Sequence, residues 1–172
     1  TTNGINYIKS IRKLKEIPTY YIPIPIVRKD ALMLDVGCGW GRWMSSGFDN
    51  GYIPIGTDLS LEFCKSAVDH LQLVGKSGYA VVADLDGLPI KVNLFDIVWS
   101  FSVLQHMHQR KVANALPKIA DLLMHDGLVK IQLPSVDGLR NKKVHLKIEQ
   151  EQKDDINSFC VRYYTIKEYE QM

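Results

Sequence analysis

The stretch Leu32-Met33-Leu34-Asp35-Val36-Gly37-Cys38-Gly39-Trp40-Gly41-Arg42-Trp43 decides the fold. Its apolar run is short enough for a buried strand. An acid ends that run, and three glycines follow at alternate positions before a helix-compatible segment. The pattern predicts a strand, a glycine loop and a helix start. Glycine suits such a loop because the turn needs backbone angles that a Cβ forbids, and because a ligand must approach the main chain closely. By itself Gly-x-Gly-x-Gly fits a ligand-free turn as well as a binding loop, so the rest of the chain has to decide.

Working outward, residues 31–36 form the predicted first strand, Gly41 to about Asn50 the first helix, and Asn50-Gly51 a turn. Tyr52 to Asp58 is a second short apolar strand that again ends in an acid. After Leu59-Ser60 comes a helical pattern through Val74, with Phe63, Cys64, Ala67, Val68, Leu71 and Val74 as its apolar stripe. Tyr79 to Ala83 reads as a third strand closed by Asp84-Leu85-Asp86-Gly87, and Phe95 to Ser100 as a fourth. A helix is expected from about Arg110 to Met124, with a kink or a start near Pro117. His125-Asp126-Gly127 reads as its stop, and Leu128 to Leu133 as the fifth strand. Upstream, Ile5, Ile8, Ile11 and Leu14 recur at helical spacing before Pro18, and residues 19–27 read as an extended leader with Tyr20 and Tyr21.

This alternation predicts an α/β domain with a doubly wound, mostly parallel sheet and helices on both faces. In such sheets ligands bind beyond the carboxyl ends of the strands, where the strand order reverses. Gly37 to Gly41, Asp58, Asp84 and Ser100 to Ser102 all fall on that edge. Asp58 lies 21 positions after Gly37 at a strand end, where a carboxylate can accept two hydrogen bonds from a ribose diol. Capping the following helix is the competing role, and Ser60 is equally suited to it.

Composition narrows the class. The chain has 172 residues, 46% of them hydrophobic, which suits one globular domain with a real core. A net charge of +2 with dispersed basic residues offers no electrostatic case for nucleic acid or an anionic membrane, and Arg140, Lys142 and Lys143 read as a solvated loop. Cys38, Cys64 and Cys160 lack metal-ligand spacing and leave an odd count, which points to free thiols in a reducing compartment. With no long apolar run and no signal-peptide pattern, a cytoplasmic location is expected.

Taken together, LDVGCGWGR, IGTDLS, VVADLDGLPI, FDIVWSFSVLQHM and DGLVKIQLP occur in the order and spacing of a known family. Over residues 31–134 the chain resembles a class I S-adenosylmethionine-dependent methyltransferase with a Rossmann-like fold. The resemblance implies S-adenosyl-L-methionine as cofactor, with Gly37, Cys38, Gly39 and Gly41 in the loop under its methionine part and Asp35 supporting that loop. It implies that Asp58, with Leu59 beside it, holds the ribose hydroxyls, that Asp84 accepts from the adenine amino group, and that the Leu85 backbone faces the ring. Ser100 and Phe101 approach the cofactor amino group through main chain, and Arg42 suits its carboxylate unless it pairs on the helix surface. The competing nicotinamide-dependent dehydrogenase fingerprint wants Gly or Ala where Arg42 stands.

The acceptor implied is a small molecule with an O, N or C nucleophile, because Ser100-Phe101-Ser102-Val103 is unlike the Asn/Asp-Pro-Pro-Tyr/Phe pattern of adenine and glutamine methyltransferases. No pair of acidic segments suits a magnesium site, so no metal is expected. His106 and His108 are the candidate general bases, against a structural or substrate-shaping role. Trp40, Trp43 and Trp99 invite a cation–π contact with the sulfonium, against core packing. A noncatalytic cofactor-binding or scaffold domain is the second function class.

The single domain therefore divides into 1–30 (N-terminal helix and leader), 31–134 (cofactor-binding core) and 135–172 (a polar insertion and the start of an incomplete C-terminal part). A complete family sheet has two further strands, so a truncated domain is expected. Acceptor recognition is assigned to the insertion before Phe159, and the exposed fifth strand becomes a possible edge for self-association.

Overall fold

Strand β1 (Leu32–Val36) runs through the centre of the molecule and is almost wholly buried, as an apolar run flanked by strands on both sides must be. The structure is a computed structural model that describes residue 28, residues 30–135 and positions 163, 165, 167, 170 and 171. Within it follow α1 (Arg42–Asp49), β2 (Ile53–Asp58), α2 (Leu61–Leu73), β3 (Tyr79–Val82), β4 (Phe95–Phe101), α3 (Gln109–Leu122) and β5 (Leu123–Gln132). All strand pairs are parallel, in the order β3-β2-β1-β4-β5. The chain steps outward from β1 to β3, then returns to build β4 and β5 on the other side. The order therefore reverses between β1 and β4, and the glycine loop leaves the sheet at that point.

Period-two alternation sends the two sets of β1 side chains to different helices. Leu34 and Val36, with Val98 of β4, join Val112, Ala115, Ile119 and Leu122 of α3 in one core cluster. Met33 packs with Ile97, Trp99 and Tyr52 on the opposite face. Cys38, Met44, Ala67 and Leu71 form the seam where α1 meets α2. At the far end of the sheet, buried Asp96 accepts from Arg28 Nε at 2.8 Å, Arg28 Nη2 at 2.9 Å and the Leu32 amide at 2.7 Å, tying the entry to β1 onto β4.

Two sequence expectations change. The helix before the fifth strand ends at Leu122, and β5 begins at Leu123, not at Leu128. Leu123 pairs with Phe95 and Leu128 with Ile97, so Met124 to Gly127 bulge out opposite Asp96 alone. The polar His125 and Asp126 thereby stand in solvent, and the expected stop is an irregularity inside a strand. Pro117 starts no helix: α3 runs through it from Gln109, with Pro117 exposed and the buried face of Val112, Ala115, Ile119 and Leu122 holding both halves to the sheet. The early helix (residues 5–17), the leader, the basic cluster, Cys160 and the polar stretch 141–157 lie outside the described residues. Positions 167 and 170 are helical, as expected for the segment 166–172. Among the described residues no helix is long and apolar enough to cross a membrane.

Leu34 is fully buried at the centre of this core. Leu34→Ala is expected to lower unfolding stability by about 2–5 kcal/mol, through lost transfer energy and a cavity that the parallel sheet cannot close. Urea denaturation checks it, and a loss below about 1 kcal/mol would contradict the placement.

Candidate functional site

The loop after β1 is built by main-chain bonds. The Gly37 and Cys38 amides both donate to the Thr57 carbonyl, at 2.7 and 2.9 Å, and the Gly41 amide donates to Cys38 O at 2.9 Å. Gly37, Gly39 and Gly41 all have positive φ (71°, 50° and 73°). At Gly37 a Cβ would also run into the Val103 side chain, and at Gly41 it would come within 3.0 Å of Ala67 in α2. Nothing stands within 4 Å of a Cβ built on Gly39, so the middle of the loop faces open space. The first turn of α1 follows directly, and its N-terminus favours an anion. Cys38 contributes only main chain: its side chain is buried in the α1–α2 seam, where burial pushes the thiol far up.

The ends of β2 and β3 join the loop through one residue, Asp58. Asp58 Oδ2 accepts from the Gly39 amide at 3.1 Å, and Oδ1 accepts from the Ser60 amide at 3.0 Å. Ser60 is the helix cap, its hydroxyl accepting from the Phe63 amide at 3.3 Å, so Asp58 does not cap α2. The Asp58 carbonyl in turn accepts from the Ala83 amide at 3.1 Å. Asp84 is exposed just beyond, and Leu85 is buried at the start of a one-turn 3₁₀ helix. Leu59 is 71% exposed beside Asp58, an apolar side chain in water at the edge of the site.

Asp35 lies beneath the loop. It is buried, and neither carboxylate oxygen has a well-aligned hydrogen-bond donor among the described residues. Burial raises its pKa to about 7; the Arg42 charge and the Met44 amide pull it down, while Asp58 pushes it up. The Arg42 guanidinium sits 5.2 Å from the Trp43 ring centroid and 5.0 Å from that of Phe101. The rings of Trp43, Trp99 and Phe101 pack against one another. Trp99 is therefore a core residue, and the cation that Trp43 meets is Arg42. Trp40 stays at the loop, edge-on to Phe63 at 5.3 Å.

The end of β4 completes the edge. Ser100 is buried, with no hydrogen-bond partner for its hydroxyl among the described residues. Phe101 is half-buried, and Ser102 adopts a left-handed φ of 60°, which costs a non-glycine residue about 1–2 kcal/mol. Of the two histidines, His108 caps α3, its Nδ1 accepting from the Arg110 amide at 3.2 Å, which is a structural task. His106 is half-buried in the turn Leu104–His106 on the site side of the sheet.

Two residues escaped sequence reasoning. His70 of α2 is buried, and its Nδ1–H donates to the Trp40 carbonyl at 3.0 Å; burial lowers its pKa and keeps the ring neutral. Its spacing of three from Ala67 and seven from Phe63 was the available signal. Gln132 meets Ser102 across β4 and β5, and no local pattern announces that contact.

Asp35 has a stability consequence. Its folded pKa of about 7 exceeds the ordinary 3.8, so folding favours the protonated acid. The residue opposes folding least below about pH 4. As the pH rises from 4 to 7 only the unfolded chain ionises, and stability falls by at most about 4 kcal/mol before levelling. Asp35→Asn is expected to flatten the pH dependence of the urea midpoint in that window. Parallel curves for variant and parent would contradict it.

A family model described as a methyltransferase domain matches residues 34–131. An uncharacterised protein of Methanocaldococcus jannaschii is 28% identical over 119 residues, covering 68% of this chain and 47% of that protein. The chain thus spans about half the length of the curated relative it matches. Among solved structures, an S-adenosylmethionine-dependent methyltransferase from Methanosarcina mazei superposes with a TM-score of 0.69 at 19% identity, over 83% of this chain and 77% of that one. A Haloferax volcanii putative methyltransferase, solved in complex with a methyltransferase activator, superposes with a TM-score of 0.63 at 22% identity, over 87% and 60%. At these identities the superpositions speak to the fold. The glycine cradle open at Gly39, the carboxylate of Asp58 and the apolar Leu59 suit S-adenosylmethionine, the cofactor that the family and these neighbours imply. From the family match over more than half of its length, the chain belongs to the methyltransferase-domain family.

Proposed function

We propose that the domain catalyses transfer of a methyl group from S-adenosylmethionine to an oxygen, nitrogen or carbon atom of a small molecule. The observation that carries this reading is the convergence of the Gly37–Gly41 loop, Asp58, Asp84 and Phe101 on one edge of the sheet at the point of strand reversal. When bound, the cofactor supplies an electrophilic methyl group on a sulfonium centre. The chain's own task is to orient and to exclude water, because in-line displacement gains most from aligned reactants.

In this reading the open main chain at Gly39 receives the methionine portion, and Arg42, fixed by the rings of Trp43 and Phe101, meets its carboxylate. Each Asp58 oxygen already accepts one amide and retains capacity for one ribose hydroxyl. Asp84 accepts from the adenine amino group while Leu59 and the Leu85 backbone face the ring, the Leu85 side chain being held in the core. The main chain at Ser100 and Phe101 accepts from the cofactor amino group, and Asp35 lies below as the nearest buried acid. Where the acceptor carries a proton that must leave, His106 is the candidate base, His108 being committed to its cap.

Two further readings belong here. Activation by a partner protein follows the Haloferax relative, which was solved with an activator. Self-association through β5 follows from its position as the outer strand among the described residues, with Leu128 and Val129 exposed. A concentration series in analytical ultracentrifugation tests the second, with a monomer at all concentrations as the contrary result.

Calorimetry with S-adenosylhomocysteine tests the cofactor assignment. Binding is expected for the parent. Asp84→Ala, an exposed change, is expected to weaken it several-fold, and Asp58→Ala by roughly 10–100-fold, the value of charge-assisted hydrogen bonds. Nicotinamide dinucleotide binding in place of S-adenosylhomocysteine would overturn the reading. Cofactor binding without turnover across a panel of small nucleophiles, with and without an activator, would favour a noncatalytic domain.

A further inference from the structure

Ser102 is the one left-handed non-glycine residue at the site edge among the described residues; Asp30 and Asn93, the two others with positive φ, precede β1 and β4. A serine holds that conformation against its own preference only where its surroundings compel it. Two bonds from β5 do so. The Ser102 amide donates to the Gln132 carbonyl at 3.1 Å, and the Ser102 hydroxyl donates to Gln132 Oε1 at 2.6 Å. The first continues the β4–β5 ladder, in which Phe101 pairs with Gln132. The second belongs to the side chains alone.

The turn so held has a consequence across the site. It carries Val103 back over the glycine loop, so close to Gly37 that no Cβ fits between them. Leu104 is then buried in the α3 core, and the His106 amide donates to Val103 O at 2.9 Å, closing the next turn. Phe101, the residue before the turn, also brackets the Arg42 guanidinium. The conformation of this serine thus directs the chain after β4, and with it Val103, onto the glycine loop.

We propose that Gln132 is a positioning residue for cofactor binding, acting from the end of β5 through Ser102 to hold the turn after β4 against the glycine loop. The inference rests on the cofactor reading above and adds a residue of β5 that is hydrogen-bonded to Ser102. Without the Gln132 amide oxygen, Ser102 relaxes toward ordinary backbone angles in part of the population, and only the remaining fraction presents the closed edge.

The test measures S-adenosylhomocysteine affinity by calorimetry alongside the urea midpoint for the parent, Gln132→Ala, Ser102→Ala and the double variant Ser102→Gly/Gln132→Ala. Gln132→Ala and Ser102→Ala remove the same bond from its two ends, and each is expected to weaken binding about three- to tenfold. Glycine adopts a positive φ unaided, so the double variant is expected to bind within about twofold of the parent. A role confined to stability would move the urea midpoints and leave the affinities alike. Parent-like binding by Gln132→Ala, or a double variant as weak as the single ones, would overturn the proposal while leaving the cofactor reading intact. A parent that binds no S-adenosylhomocysteine would overturn both.

Discussion

The Asp58 carboxylate bonds two amides that belong to different elements, Gly39 in the loop after β1 and Ser60 at the entry to α2. A parallel sheet brings its strand ends to one edge but does not by itself fix the loops that leave them. Here the fixing is done by short polar links. Thr57 O takes the Gly37 and Cys38 amides, Asp58 takes Gly39 and Ser60, and the Asp58 carbonyl takes Ala83. The ends of β1, β2 and β3 are thereby one hydrogen-bonded unit, and α1 and α2 start from it. A ligand that enters finds the main chain already oriented, so less of its binding energy goes into ordering loops.

Beneath that unit the structure accepts a local cost. Asp35 is buried without a well-aligned donor, and Ser102 is left-handed without being glycine. Both lie at the site edge; at the opposite edge Asp96 is well paired with Arg28, and Asp30 and Asn93 there are left-handed too. Ordinary packing around Asp35 and Ser102 sustains these local costs. His70 has a related part on the α2 side: a neutral imidazole in the core holds the Trp40 carbonyl, so the apolar seam also steadies the loop.

The framework was legible wherever a short apolar run ended in a distinctive residue. β1 ends before three glycines and β2 in Asp58, while β3 is followed by Asp84, and all three strands stand within a residue or two of their expected limits. The sheet order and the two helical faces follow from that alternation. Legibility failed where a long-range partner decides the local state. Leu123 and Met124 look helical in isolation, yet Leu123 is drawn into β5 by Phe95, some thirty positions earlier in the chain. The two roles open to Asp58 were separated only by seeing Ser60 take the cap. The position of His108 suits a base in sequence, whereas its ring accepts from the Arg110 amide, and the Ser102–Gln132 contact joins residues with no sequence pattern in common.

In the proposed function the ends of β1 to β4 form one cofactor site organised by Asp58. The most direct measurement is a titration of the isotope-labelled protein with S-adenosylhomocysteine, followed through backbone amide resonances. The account predicts that the largest shifts fall on Gly37 to Gly41, on Asp58 to Ser60, on residues 83–85 and on residues 100–103, together and with one affinity. Shifts centred instead on the opposite edge, around Arg28, Leu32 and Asp96, or none at saturating ligand, would contradict it.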